Sequence, residues 1–100
     1  MHFHDYQQQA SRTRNSALGE RDRLLDAASG LAEESGEVLG VVRKHLMHGT
    51  PLDREGLLLE LGDVLWCLAA VASDAGTTLE AVAESNLEKL RQRHPDGFKP

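Results

Sequence analysis

The sequence has no isoleucine, one cysteine, three prolines and four aromatic residues in 100. A lone thiol, Cys67, cannot close a disulfide within the chain, so a reducing compartment, the cytoplasm, is expected. Basic residues are also scarce. Eleven Lys and Arg stand against 16 Asp and Glu, a formal net charge of -5, which argues against nucleic acid as a partner. Long apolar runs are missing too. The longest, Val64 to Ala72, is far shorter than the roughly 20 residues of a membrane span, so no membrane partner is expected. Met1 to Gln9 has no apolar stretch of the signal-peptide kind. Few β-branched residues cluster, and alanine and leucine dominate, a composition that favours helix over sheet. One hundred residues make a single domain, 1–100, with room for only a modest core.

Four helices are predicted. His4 to Ser16 carries Tyr6, Ala10, Thr13 and Ala17 at helical spacing, a thin apolar face that must dock on something. Glu20 to about Met47 repeats Leu24, Leu31 and Val38 at sevens, with Ala27 and Val41 on the same side. Its interior glycines, Gly30, Gly36 and Gly40, imply a close neighbour, a ligand or a kink. Gly49 suits the residue after a helix, Thr50 an N-cap and Pro51 a first helical position. The third helix, to about Ser73, presents Leu57, Leu61, Val64, Leu68 and Val71 on one side and Leu58, Leu65 and Ala72 on another. A helix apolar over so much of its circumference is buried from two directions, the second being another copy of the chain. Gly76 ends it; Thr77 and Glu80 form a capping box for a fourth helix to about Arg93, with Leu79, Ala83, Asn86 and Leu90 on its inner stripe. Phe98 is placed to fold back on the bundle. The expected architecture is all-α, a four-helix up-down bundle-like domain assembling as a homodimer or homotetramer.

The acids carry the chemistry. Glu34 and Glu37 are three apart, as are Glu60 and Asp63, so each pair stacks about one turn apart on a helix face. Both pairs lie in or beside apolar stripes, where carboxylates are costly unless something cationic meets them, and no Lys or Arg is interleaved there. A divalent metal between two helices satisfies all four. Oxygen ligands without His or Cys favour Mg²⁺, with Mn²⁺ as a substitute. A ferritin-like di-iron site would need Glu-x-x-His pairs, and none exists. Glu33 is less inward, either a solvated acid or a proton acceptor. Asn86, Lys89 and Arg93 share one face of the last helix, either a solvated basic face or a clamp for phosphate oxygens. Trp66 either fills the core or stacks on a planar base. Arg43, Lys44, His45 and His48 form a basic cluster where a helix C-terminus welcomes cations.

Three segments together, Gly30-Leu31-Ala32-Glu33-Glu34-Ser35-Gly36-Glu37, Glu60-Leu61-Gly62-Asp63-Val64-Leu65-Trp66 and Asn86 through Arg93 to Phe98, resemble the MazG-like nucleotide pyrophosphohydrolases. The resemblance runs from about Leu24 to Phe98, and Tyr6-Gln7 extend it. His94 departs from it, standing where the family more often has Tyr or Phe. The resemblance implies an all-α, Mg²⁺-dependent enzyme that turns nucleoside triphosphate and water into monophosphate and pyrophosphate, clearing unwanted nucleotides. It implies Glu34, Glu37, Glu60 and Asp63 as metal ligands and Asn86, Lys89 and Arg93 as substrate contacts. Water would attack the α-phosphorus, with Glu33 or Glu37 taking its proton and Lys89 and Arg93 stabilising the pyrophosphate. Two other classes fit the same residues: a metal- and nucleotide-binding regulatory module without turnover, and a structural helical dimerisation domain.

Overall fold

A computed structural model describes all of residues 1–100 as four α-helices with no strand: α1 (Phe3–Ser11), α2 (Glu20–His48), α3 (Arg54–Asp74) and α4 (Leu79–Arg93). The long helices α2 and α3 form a hairpin. On the rest of α3 lies α1, and α4 packs on α1 and α3 without reaching α2. The fold is thus all-helical as expected, but open. The buried residues are small: Ala27 on α2, Cys67, Ala69, Ala70 and Ala72 on α3, with Leu79 and Gln7 at the α1–α4 end. Small residues bring the helix backbones together. At Gly30, a Cβ would sit 3.2 Å from Cys67 Sγ, so this glycine is the close α2–α3 contact, whereas Gly36 and Gly40 face open space.

Helix ends differ from the expected ones for local reasons. The first helix stops at Ser11 rather than Ser16, because the Ser11 and Thr13 hydroxyls donate back to the Gln8 and Ala10 carbonyls and turn the chain. The third is capped by Asp53, which accepts from the Gly56 amide, not by Thr50, whose hydroxyl donates to the Lys44 carbonyl and closes α2 instead. The turn between them is made by Gly49 in the left-handed region, φ 66°. The N-cap of α4 is Thr78, which accepts from the Ala81 amide. Thr77 is committed elsewhere: its amide donates to the Ala72 carbonyl and its own carbonyl accepts from Gln7. No Thr77–Glu80 capping box forms.

Two polar clasps hold α1 and the following loop to α3. The Gln7 amide donates to Ser73 Oγ at 2.9 Å and to the Thr77 carbonyl, while its oxygen accepts from the Leu79 amide at 2.9 Å. Arg14 grips both oxygens of Asp74, at 2.5 and 2.8 Å, and donates to the Ala70 and Arg23 carbonyls. By length and composition alone α3 could cross a bilayer; here α2 and α1 pack on it.

The apolar surface left over is large. Leu39, Leu46, Leu58 and Leu59 are each more than half exposed, and no large side chain is fully buried. Phe98 does not fold back on the helices; it is 78% exposed, with its ring 6.0 Å from that of His94. On the α4 stripe Leu79 is buried, but Asn86 and Leu90 are exposed.

Candidate metal centre

The α2–α3 hairpin brings three of the singled-out acids together. Carboxylate oxygens of Glu34 on α2 and of Glu60 and Asp63 on α3 lie within 4.8 Å of one another. Glu34 and Glu60 are half-buried and Asp63 is exposed. The arrangement follows from helix periodicity. Glu60 and Asp63 are one turn apart, and Glu34 lies one turn beyond Gly30, where α2 and α3 come closest against Cys67.

The electrostatics match the geometry. Desolvation pushes the Glu34 carboxyl above its ordinary value, and the fields of Asp63, Glu60, Glu33 and Glu37 add to the push. Ion pairs occur only at Arg14–Asp74, Arg91–Glu88 and Lys99–Asp96, so no Lys or Arg neutralises the cluster. Three converging carboxylates without a cation have the donor set of a hard divalent ion. The same acids are felt nearby. Burial, then Glu34 and Asp63, raise the Cys67 thiol, which stays protonated and unreactive. Burial, then Asp63 and Cys67, raise the Tyr6 phenol.

The other singled-out residues lie around or away from it. Glu33 and Glu37 are exposed, and neither joins the group of three. Instead Glu37 lines a cleft of about 350 Å³ that runs from Glu60 towards the α2–α3 turn. The Trp66 indole is half-buried and its Nε1–H donates to Thr13 Oγ1 at 2.7 Å, which ties α3 to the end of α1. Asn86 and Lys89 line a separate cleft of about 410 Å³ on α4, and Arg93 a third of about 260 Å³ near the C-terminus. Within one chain, the basic face of α4 and the acids therefore occupy different clefts.

Tyr6 was visible in sequence only as one residue of a thin helical stripe, with nothing to show that its phenol would feel the field of Asp63. Lys44, in the same cleft as Glu37, was visible only as part of a basic helix end. Its place seven residues after Glu37, two turns along one face, was the available signal.

The model of the MazG nucleotide pyrophosphohydrolase domain matches residues 24–98, which includes all three clustered acids and the basic face of α4. The gene 37 protein of Mycobacterium phage L5 is 38% identical over 72 residues, 68% of this chain. The match spans 63% of that protein's length, less than two thirds. No solved structure matches the chain.

Proposed function

Because this chain belongs to the MazG nucleotide pyrophosphohydrolase family, we propose that it is a Mg²⁺-dependent hydrolase converting a nucleoside triphosphate to monophosphate and pyrophosphate. The observation that carries the reading is the convergence of Glu34, Glu60 and Asp63 without a neutralising cation. Members of the family are typically divalent-metal dependent, and this donor set fits Mg²⁺, with Mn²⁺ as a substitute. Glu34, Glu60 and Asp63 would hold the ion, with Glu37 completing the set from the next turn of α2. Bound there, it would supply Lewis-acid neutralisation of charge on the phosphate chain.

The chain's own groups do the rest. Glu37 or Glu33, both exposed at the edge of the cluster, accepts a proton from the attacking water. The water oxygen bonds to phosphorus, the bridging P–O bond between the α and β phosphates breaks, and its electron pair leaves on pyrophosphate. Lys89 and Arg93, as cations, stabilise that leaving group, and Asn86 donates to a phosphate oxygen. The face of Trp66 is the planar surface offered to a base.

Self-association belongs to the same proposal. A compact chain of this mass exposes about 5,600 Å²; this one exposes 7777 Å². Its radius of gyration is 16.2 Å, against about 13 Å for a compact domain of this length. The excess is on the order of 2,000 Å² per chain, about 4,000 Å² over two copies, which lies in the range of an obligate homodimer interface. A homodimer or homotetramer covers the exposed leucines of α2 and α3, and a second copy is the route by which the basic face of α4 meets the acids. Removal of unwanted nucleotides in a reducing cytoplasm, with neither nucleic acid nor membrane as partner, is the role proposed.

A panel of ribo- and deoxyribonucleoside triphosphates with Mg²⁺, resolved by chromatography, tests the reading. Monophosphate and pyrophosphate are expected from at least one member. Diphosphate and orthophosphate would overturn the bond assignment. Mg²⁺-dependent binding without any product would leave a regulatory module, and neither binding nor turnover a structural helical domain.

A further inference from the structure

The cleft beside the acids contains one obligate cation, and neither the metal cluster nor the α4 face accounts for it. Glu37, Gly40, Val41 and Lys44 of α2 form one wall, and Asp53 and Glu60 lie across from them. Lys44 follows Glu37 by two turns, about 10 Å along the helix. Between them Gly40 contributes no side chain, and a Cβ there would meet nothing within 4 Å. Lys44 makes no ion pair, although three carboxylates line the same cleft. His45 is already engaged: its Nδ1–H donates to the Thr50 carbonyl. Val41 is the one hydrophobic residue in the lining, which has no Phe, Tyr or Trp, so it offers a base nothing to stack on. An open groove that shares Glu60 with the acid cluster and carries, beside Asp53, an ammonium paired with none of its carboxylates offers what a polyphosphate would use: acids that would hold a divalent ion, and a point-charge contact apart from them.

We infer that Lys44 binds the terminal phosphates of the substrate, with the groove over Gly40 as the track along which the phosphate chain lies. The inference rests on the proposed pyrophosphohydrolase reading and assigns to that site a specificity residue for the leaving pyrophosphate.

The test is calorimetric binding of pyrophosphate, and separately of nucleoside monophosphate, in the presence of Mg²⁺, alongside steady-state kinetics. Lys44→Ala is expected to weaken pyrophosphate binding about tenfold, the order of one lost charge-assisted contact. KM for the triphosphate should rise by a similar factor, with kcat, monophosphate binding and Mg²⁺ affinity within about twofold of wild type. Lys44→Arg should restore most of the loss. Gly40→Leu should melt higher than wild type, because glycine is a poor helix residue, yet lose pyrophosphate binding by filling the groove. Pyrophosphate binding unchanged in Lys44→Ala, or pyrophosphate and monophosphate weakened equally, overturns the assignment. So does a fall in Mg²⁺ affinity, which would make the lysine a support for the acids. A wild type that binds neither pyrophosphate nor triphosphate overturns the parent reading with it. A wild type that binds both, beside an unaffected Lys44→Ala, overturns only the role of the lysine.

Discussion

Replacing Arg14 by Met should cost the fold about 3–5 kcal/mol, the usual penalty for removing one partner of a buried ion pair. Arg14 and Asp74 have side chains only 7% and 12% exposed and are joined by two parallel bonds of 2.5 and 2.8 Å. Losing the guanidinium strands the Asp74 carboxylate and frees the Ala70 and Arg23 carbonyls that it also serves. For a chain of this length the cost corresponds to a fall in melting temperature of at least about 12 °C. The pH dependence has a definite sign. The hydrogen bond from Arg14, helped by its charge, holds the Asp74 carboxyl below its ordinary range. A carboxyl with a depressed folded-state value contributes stability above its unfolded value, about 3.9, and loses it as pH falls through the lower folded one. The gap between wild type and Arg14→Met should therefore be widest near neutrality and close below about pH 4. Urea unfolding between pH 3 and 7 reads it directly. Arg14→Met with Asp74→Leu should recover most of the loss, because an apolar pair leaves no orphaned charge. Asp74 is 11 residues beyond Asp63, about 16 Å along α3, so the folded variants should keep the Mg²⁺ response of wild type. A variant melting within about 3 °C of wild type, or a gap indifferent to pH, would show that the clasp does not hold α1 and its loop to α3.

Three further outcomes are expected. In EDTA, Glu34→Gln should melt no lower than wild type, whereas Mg²⁺ should raise the wild-type midpoint and hardly move the variant. Because the Glu34 carboxyl is raised, it subtracts stability above its folded value and ceases to as pH falls towards about 4.3; chelated wild type should thus gain on the variant from pH 7 downwards. Gln7→Leu should destabilise by about 3 kcal/mol in urea titrations, three hydrogen bonds at about 1 kcal/mol each; a change under 1 kcal/mol would make that clasp incidental. Sedimentation at micromolar concentration should give a dimer or larger species, shifted towards monomer by Leu58→Glu; a concentration-independent monomer would leave the exposed leucines of α2 and α3 without a partner.

The number and order of helices were legible because they depend on local chemistry. Gly49 and Gly76 punctuate the chain at positive φ as their sequence context suggests. The facing of Glu34 with Glu60 and Asp63 was legible because helix periodicity fixes which side of a helix each acid occupies. What escaped depends on how each helix end closes and on what docks against it. Thr50 and Thr77 look like caps from their neighbours alone, but their polar groups are taken by the Lys44 carbonyl and by Ala72 and Gln7. A Thr50 hydroxyl turned to the end of α2 is not aimed at the start of α3, and a Thr77 backbone tied to Ala72 and Gln7 leaves the next residue, Thr78, to begin α4. Likewise the apolar stripes were legible as stripes. That they meet through alanines and a glycine, with leucines left outside, follows from how closely α2 approaches α3 at Gly30 and Cys67. The separation of Asn86, Lys89 and Arg93 from the acids is set by the α3–α4 turn and by α1 lying against α4, neither of which a helical period encodes.

The acid cluster, loaded with Mg²⁺, is proposed to direct cleavage of the bond between the α and β phosphates. Phosphorus NMR of a nucleoside triphosphate incubated with the protein tests it in one tube. Monophosphate and pyrophosphate resonances should grow together with Mg²⁺, stop with EDTA and be absent with Glu60→Gln. Diphosphate with orthophosphate, or turnover that survives both EDTA and Glu60→Gln, would contradict it.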